Sequence, residues 1–341
     1  MYHTGCDVHK KTCHLQHMDE DGALGLSKNV PTTREALAKF LDRLDGSTTI
    51  TLEATRGYWW LNQFFVRHPK VSQVNVVDSR RSRKLAQELS VRSGYGRAKN
   101  DRIDAEMLAE QTRRDLAPTI HVPTPSQLAD RTLNRHHLML VRLKTMAANR
   151  IHGILSMHGV FTAIAMLRNN VAQRDQILRE LPGYVELFVT NMLKQIELFD
   201  QQTDQCDQEL DKMLPRSNPT IKLLMTAPGI GIVLARTIAT EILDPSYWRE
   251  PKYLLSYAGL APLQNESAGK KGPMKLNQFC NYYLKYAFVA AAHGARTHPR
   301  YCRKYEQDVK QHGKIRAKLN LARRLAKAVY WMLTRQQPYK F

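Results

Sequence analysis

The sequence predicts an α/β domain followed by helices, and two patterns along its 341 residues carry this prediction. In the first 115 residues, short β-branched runs alternate with amphipathic runs of helical period, an order typical of a largely parallel sheet. From residue 123 onward no strand pattern remains, and apolar residues recur every three or four positions. We therefore predict an α/β domain at 1–115, a helical coiled-coil connector at 123–216 and a mainly α-helical domain at 218–341.

The N-terminal domain opens with two extended runs, 3–8 and 12–18, that predict a β-hairpin. Thr32 to Glu35 has the pattern of a capping box, so a helix is expected from there to about Leu44. The later runs alternate in type, which favours parallel strands with the hairpin as an antiparallel addition. These later runs are strands at 48–53 and 71–77 and helices at 58–66 and 79–89.

Two narrow apolar stripes predict two long helices in the connector, separated by a break at 181–183. Such stripes favour an antiparallel coiled-coil arm or an interface for a second copy of the chain, with pairing inside one chain as the alternative. The first stripe consists of Leu140, Leu143, Ala147, Ile151 and Ile154. The second consists of Val185, Phe188, Met192, Ile196 and Phe199, continued by Cys206, Leu210 and Met213.

The C-terminal domain contains Pro-Gly-Ile-Gly at 228–231, between two predicted helices. This pattern is typical of a helix-hairpin-helix element. Gly229 and Gly231 would let backbone N–H groups at a helix N-terminus approach a phosphate. A tight turn between two helices is the alternative interpretation.

The chain carries 51 Lys and Arg against 31 Asp and Glu, a formal net charge of +20. From Lys285 onward, fourteen basic residues face only two acidic ones. A segment of this kind is typical of a nucleic-acid-binding surface, for which Arg323, Arg324 and Lys327 are candidates. A solvated helical face is the alternative.

No apolar run is long enough to cross a membrane and the chain opens without an apolar signal region, so neither insertion nor export is expected. Five scattered cysteines fit free thiols, and we predict a cytoplasmic protein associated with the nucleoid. A zinc site is not expected, because the candidate ligands lack a C-x₂-C pair and would alternate between strand faces. Those candidates are Cys6, His9, Cys13, His14 and His17.

Four carboxylates carry the candidate chemistry. Asp7 lies in the first predicted strand and Glu53 ends a later one, so both are expected near the carboxyl ends of strands. Asp101 and Asp104 follow Asn100, a candidate N-cap, and share one helical face. In a chain that attracts polyanions, clustered carboxylates are favourable when divalent cations separate them from phosphate, and oxygen ligands suit Mg²⁺. We therefore predict two Mg²⁺ ions in phosphoryl transfer, with simple placement of acids at a helix N-terminus as the alternative for Asp101 and Asp104.

Several strings resemble the insertion-sequence one-ten family of DEDD transposases, relatives of the pilin-gene-inverting DNA invertases. GCDVHK, TLEATRGYWW and AKNDRIDAEMLA are similar to the family's N-terminal domain. NRIHGILSMHG resembles its helical connector, and APGIGIVLARTIATEI, LLSYAGLAP and CNYYLKYAFVAAA resemble its transposase domain. The strings follow the family order along nearly the whole chain.

The resemblance implies a RuvC-like (RNase H-like) first domain in which the four carboxylates are the DEDD tetrad. It also implies a catalytic serine, which maps onto Ser267; the family has a glycine after this serine, where this chain has Ala268. Lys270, Lys271 and Lys275 would then contact phosphate near the serine, with loop solubility as the alternative.

A serine nucleophile would form a transient phosphoserine link to DNA and allow strand exchange. The resemblance further implies donor and target DNA as partners, guidance by a structured bridge RNA, and action as a homo-oligomer, a dimer or a tetramer. Two other functions stay open: a Mg²⁺-dependent nuclease of branched DNA that uses water, and a non-catalytic nucleic-acid-binding regulator.

Overall fold

The computed structural model describes residues 1–92, 100–263, 266–267, 270–271 and 275–340. The chain forms two compact units, Met1–Val122 and Pro123–Phe341. The first is built on a mixed sheet with helices, and the second is mainly helical. Among the described helices, none combines the length and apolar character that a membrane span requires.

The first unit contains a five-stranded sheet in the order β3-β2-β1-β4-β5. Strand β1 pairs antiparallel with β2 and parallel with β4, so the predicted hairpin and parallel strands are confirmed. The edge strand β3 is missing from the sequence prediction because most of its side chains are exposed and give no apolar alternation. The strands are β1 (Tyr2–Val8), β2 (Thr12–Met18), β3 (Leu24–Pro31), β4 (Thr48–Glu53) and β5 (Val71–Val77).

In the described part of this unit, four helices accompany the sheet: α1 (Arg34–Leu41), α2 (Tyr58–Val66), α3 (Ser79–Arg92) and α4 (Asp101–Arg113). Leu37 and Phe40 of α1 pack with Leu61 of α2 in the buried core that β1 and β4 line. The capping-box prediction is wrong by one residue. Thr33 is the N-cap and its Oγ1 accepts from the Ala36 N–H at 3.3 Å, so no glutamate stands at the position that would complete the box, and α1 ends at Leu41.

The second unit begins with α5 (Pro125–Met157), α6 (Ile164–Asn169), α7 (Val171–Arg179) and α8 (Gly183–Met213). Helices α5 and α8 lie side by side and antiparallel, joined near their middles by the 2.6 Å ion pair of Lys144 with Asp200. Both predicted stripes contribute buried residues to the contact between these helices, which is pairing within one chain. Phe188 and Met192 of the second stripe are only partly buried. Met213 is an exception: it is exposed, and Leu214 just past the helix is buried instead.

The remainder of the second unit packs α10 (Ile232–Ile242), α12 (Tyr282–Ala295) and α13 (Pro299–Arg335) around one core. The other elements are α9 (Pro219–Leu224), a 3₁₀ turn at Pro245–Tyr247, α11 (Pro251–Tyr257) and four two-residue strands, β6 (Pro262–Leu263), β7 (Glu266–Ser267), β8 (Lys270–Lys271) and β9 (Lys275–Leu276).

Helix α13 is broken at Gly313, whose φ of 80° and ψ of 164° are not helical. The chain folds back there, because Asp308 before the break accepts from Arg324 after it at 2.9 Å. Near the open end of this helical hairpin, the hydroxyls of Tyr301 and Tyr339 are 2.5 Å apart. Every residue of its turn, 310–316, is exposed. We call this turn the basic tip.

Candidate functional site

Helix α4 lies directly against β1 because Gly5 leaves room for it. A Cβ at Gly5 would overlap the carbonyl of Ala105 and lie 2.8 Å from the backbone nitrogen of Ala109. Asn100 begins the helix as predicted, since its Oδ1 accepts from the Ile103 N–H at 2.9 Å. The close approach brings the first turn of α4, with Asp101 and Asp104, to the end of β1.

Asp7 and Glu53 meet at the same edge of the sheet. Cys6 of β1 is paired with Leu52 of β4 in parallel register, so the residues that follow each of them are neighbours on one face. The alternation of strand side chains places that face opposite the buried Cys6 and Leu52, on the side of Gly5 and α4. All four predicted carboxylates therefore converge at one edge of the first unit.

His9 joins this cluster, which we call the acidic site. Its Nε2 lies 3.2 Å from Asp7 Oδ2 and 3.3 Å from Asp101 Oδ1. One ligand atom from each of these three residues lies within 4.8 Å of the others. Asp7 is 17 % exposed, whereas His9 and Asp101 are each 51 % exposed, so the site is open to solvent on the side of the helix.

The pKa values of the group record this crowding. Burial raises the pKa of Asp7, and the charges of Asp104 and Asp101 raise it further against the opposing effect of His9. Burial likewise raises the pKa of Glu53, with Asp7 and Asp104 adding to the shift. For His9, slight burial lowers the pKa, but the carboxylates of Asp7 and Asp101 outweigh it and raise the value overall. The site is therefore an unfavourable concentration of negative charge that a cation relieves.

A divalent cation fits this donor set. Carboxylates suit Mg²⁺ and Mn²⁺, while an imidazole also suits the later transition metals. The three ligand atoms of Asp7, His9 and Asp101 are close enough to share one ion, and Glu53 and Asp104 extend the site along the strand edge. The arrangement fits a divalent metal without selecting its identity.

Sequence reasoning missed His9 as a member of the site. The sequence places it only among improbable zinc ligands, together with Cys6 and Cys13, and those two cysteines are fully buried in the core. The available signal was its spacing from Asp7: at the end of β1 the chain turns into the hairpin, so the second residue after Asp7 can bend back over it.

The predicted serine lies in a small β segment between α11 and α12. Strand β6 pairs with β9, and in a separate two-stranded sheet Ser267 of β7 is paired with Lys270 of β8. The side chains of Ser267, Lys270, Lys271 and Lys275, and residue Ala268, lie outside the described part of the structure. A second serine nearby, Ser256, lies in α11 and is exposed.

The two glycines of 228–231 have different surroundings. Gly229 has a φ of 77°, and a Cβ there would lie 2.8 Å from the backbone nitrogen of Ala295 in α12. Close packing of α12 therefore accounts for Gly229 without any phosphate. Gly231 is the N-cap of α10, and because it has no side chain it does not cap the first N–H groups of this helix. A Cβ built at Gly231 would meet no atom within 4 Å, so this helix end is not closed off by packing.

The three predicted basic contacts of α13 also differ. Arg323 donates from Nε to the Leu260 carbonyl at 2.6 Å, and burial lowers its pKa. Arg324 is paired with the buried Asp308. Lys327 is exposed. Arg323 and Arg324 thus already make contacts within the protein, and only Lys327 of the three has an exposed side chain.

Comparison with known proteins agrees with these features. The IS110-type DEDD model, described as a transposase, matches residues 4–159, and the model for the transposase IS116/IS110/IS902 family matches residues 221–307. The chain is 27 % identical to the transposase for insertion sequence element IS1328 of Yersinia enterocolitica, over 84 % of this chain and 82 % of that protein. It is 24 % identical to the transposase for insertion sequence element IS1111A of Coxiella burnetii, over 71 % of this chain and 68 % of that protein.

The first match contains all four converging carboxylates, and the second contains Ser267. The two matches together cover more than two thirds of the chain. The chain belongs to the IS110 family of transposases.

Proposed function

We propose that this insertion-sequence transposase cuts and rejoins DNA with Ser267 as nucleophile and with divalent cations, two Mg²⁺ ions, held by Asp7, Glu53, Asp101 and Asp104. The observation that carries the proposal is the convergence of these carboxylates, on two strands and one helix, at a single sheet edge. Carboxylates that raise one another's pKa values repel each other when ionised, and a bound cation offsets this repulsion.

In this proposal the first unit has a RuvC-like fold. The order β3-β2-β1-β4-β5 and the position of the acidic site at the ends of β1 and β4 support that assignment. Bound divalent ions would offset the charge of the scissile phosphate and make serine deprotonation less costly. His9 Nε2, within hydrogen-bond reach of Asp7 and Asp101, would donate to these carboxylates in the absence of metal and, once deprotonated, is a candidate additional ligand.

The serine step is a transesterification. The Ser267 hydroxyl oxygen forms a bond to phosphorus, the bond from phosphorus to a DNA sugar oxygen breaks, and the proton of serine ends on the departing sugar hydroxyl. Attack by another DNA hydroxyl on the phosphoserine link reverses these changes, releases Ser267 and joins a new pair of strands. Lys270, Lys271 and Lys275 would neutralise phosphates beside it.

Donor and target DNA are the substrates of this reaction, and a structured bridge RNA is the proposed guide. The net charge of +20 supports a chain that holds more than one nucleic acid. Gly231 at the start of α10 and Lys327 on α13 are the predicted nucleic-acid contacts that remain free of internal packing in the described structure.

The test uses the protein purified with the nucleic acid that it retains, and a supercoiled plasmid carrying the DNA that flanks its gene. Wild type should form a protein–DNA adduct that survives denaturation, and Ser267→Ala should not. Asp7→Ala and Asp104→Ala should lose both cleavage and Mn²⁺ binding measured by calorimetry, whereas Glu35→Ala, which removes an exposed acid of α1, should retain both.

Metal-dependent cutting without an adduct would instead support a nuclease that uses water. Nucleic-acid binding without any cutting would support a regulator. Undiminished Mn²⁺ binding by both Asp7→Ala and Asp104→Ala would remove the acidic site from the mechanism.

A further inference from the structure

The β segment that carries Ser267 leaves α11 at Tyr257 and returns to α12 at Asn281, and these two ends are held together. The backbone N–H of Asn281 donates to the Tyr257 carbonyl at 2.7 Å, and Asn281 Nδ2 donates to the Tyr257 hydroxyl at 3.1 Å. Gly259, with a φ of 63°, approaches Cys280 so closely that a Cβ would lie 2.7 Å from the Cys280 Cβ. The segment is therefore closed at its base.

A third partner of this base is Glu241 of α10, whose side chain has no solvent exposure. Asn281 Nδ2 donates to Glu241 Oε2 at 2.7 Å. Arg135 of α5 binds the same carboxylate in a bidentate manner, with both contacts at 2.7 Å. The guanidinium of Arg135 also stacks 4.6 Å from the ring centre of Tyr283, at the start of α12. Because a buried carboxylate is costly unless it is paired, these contacts fix Glu241 and through it the amide of Asn281.

Asn281 makes two kinds of contact that can be separated by mutation. Its Oδ1 caps α12 by accepting from the Leu284 N–H at 3.0 Å. Its Nδ2 joins Tyr257 at one end of the segment to Glu241 in the core. The cap stabilises a helix, whereas the amide donors connect α10, α11 and α12 at the two ends of the segment.

We propose that Asn281 is a positioning residue for Ser267, acting through the hydrogen bonds of its Nδ2 to Glu241 and Tyr257. This inference rests on the proposed function, in which Ser267 attacks DNA. A nucleophile on a small two-ladder segment is only as well placed as the base of that segment, and displacement by about 1 Å can cost about 10²-fold in rate. Arg135 completes the arrangement, because it holds Glu241 from α5.

The test compares Asn281→Ser with wild type. Serine keeps the cap of α12, since its hydroxyl can accept from Leu284, but it lacks the amide donors. Asn218→Ser is the matched control, because Asn218 caps α9 in the same way, with Oδ1 accepting from the Thr220 N–H at 3.0 Å. Tyr257→Phe is a milder second variant that removes one acceptor and keeps the test decisive if Asn281→Ser does not fold.

Two measurements use the full-length protein. The first is the rate of early tryptic cleavage after Lys270, Lys271 and Lys275, which reports opening of the segment and does not depend on its chemistry. The second is the rate of adduct formation on the flanking-DNA plasmid at saturating DNA, together with the affinity for that DNA.

We expect Asn281→Ser to accelerate tryptic cleavage roughly tenfold, as the loss of a hydrogen bond to a charged group implies. Adduct formation should slow by about tenfold or more with unchanged DNA affinity, and the melting midpoint should fall by no more than about 4 °C. Tyr257→Phe should shift both rates in the same directions by less, and Asn218→Ser should leave both unchanged.

An unchanged adduct rate in Asn281→Ser overturns the inference, whether or not tryptic cleavage accelerates. Equal losses in Asn218→Ser overturn it as well, because they would show a general effect of helix capping. If Ser267→Ala still forms the adduct, the proposed function itself fails, and the tryptic rates then still decide whether Asn281 orders the segment.

Discussion

Gly5 shows how one missing side chain sets the acidic site. The strand backbone at this position touches α4, and a Cβ would overlap the backbone of Ala105. The residue is needed for proximity rather than for an unusual backbone angle, because its φ is not in the left-handed region. The short distance between Asp7 and the first turn of α4 therefore depends on the absence of a Cβ at residue 5.

We expect Gly5→Ala to push α4 away from β1, because the overlap involves backbone atoms that cannot rotate aside. The free energy of unfolding should fall by about 1–3 kcal/mol, the usual cost of overpacking, and Mn²⁺ affinity should fall with it. Urea denaturation and calorimetric titration measure the two effects. Gly25→Ala, a substitution in the exposed edge strand β3, is the control and should change neither by a similar amount. Normal Mn²⁺ affinity in a folded Gly5→Ala protein would contradict this account.

For single residues, the sequence indicates the four carboxylates of the acidic site better than it indicates the neighbouring histidine. Asp7, Glu53, Asp101 and Asp104 could be predicted together because strand ends and a helix N-cap are local patterns. His9 has a weaker signal, its spacing from Asp7 alone, because no local pattern links it to Asp101. The internal bonds of Arg323 and Arg324 were invisible, since basic residues in a helix look alike until their partners are known.

Helix α4 is stabilised at its other end by Glu110. Arg113 donates to the Glu110 carboxylate at 2.7 Å and Arg114 donates at 2.5 Å. Hydrogen bonds from Arg113, followed by those from Arg114, lower the pKa of Glu110 although burial opposes them. A lowered carboxylate pKa stabilises the folded state above the ordinary pKa, and this contribution is lost as the pH falls through the folded value.

Glu110→Gln should therefore lower the free energy of unfolding at pH 7 by about 1–2 kcal/mol. The difference from wild type should shrink as the pH falls below the ordinary glutamate pKa, and it should vanish once the pH is below the lowered pKa of Glu110 in the folded protein. Hydrogen exchange of the α4 amides at a series of pH values measures it. Glu35→Gln, at the exposed start of α1, is the control. A difference that persisted unchanged in acid would show that the loss comes from packing rather than from the charge.

Helices and strands with a strong apolar periodicity could be predicted from the sequence, and several of them also have the predicted first and last residues. The strands at 48–53 and 71–77 and the helix at 58–66 have the predicted bounds. The pairing of α5 with α8 follows from the two stripes, each of which contributes buried residues to the contact. The break of α13 at Gly313 was not predicted, because a single glycine in a polar helical run is also tolerated without a kink.

For the whole molecule, the net charge can be read from the sequence, whereas the structure shows which basic side chains are exposed and which make internal contacts. The net charge of +20 predicts a nucleic-acid partner. In α13, however, three exposed cations, Lys310, Lys314 and Arg316, are grouped around the break in the basic tip. Arg323 and Arg324 are held nearer the core, so their removal would confuse impaired folding with impaired binding.

Replacing Lys310, Lys314 and Arg316 by alanine should weaken DNA binding and flatten the dependence of log affinity on log salt. The slope should decrease by roughly 0.7–0.9 for each phosphate that the variant no longer neutralises. The control variant removes three exposed cations of the helical connector and its neighbour, Arg179, Lys194 and Lys222. Affinities measured by fluorescence anisotropy at several salt concentrations give both slopes. Equal slopes for wild type and the tip variant would make the tip an ordinary solvated turn.

The ion pair between Arg135 and Glu241 restricts how natural or engineered chimaeras of this protein can be made. A crossover near residue 217 would take the arginine from one parent and the glutamate from the other. If the incoming helix lacked a matching cation, Glu241 would be left buried and unpaired, an error that costs about 3–5 kcal/mol. Helices α5 and α10 therefore have to be inherited as one block, although about a hundred residues separate the two charges along the chain.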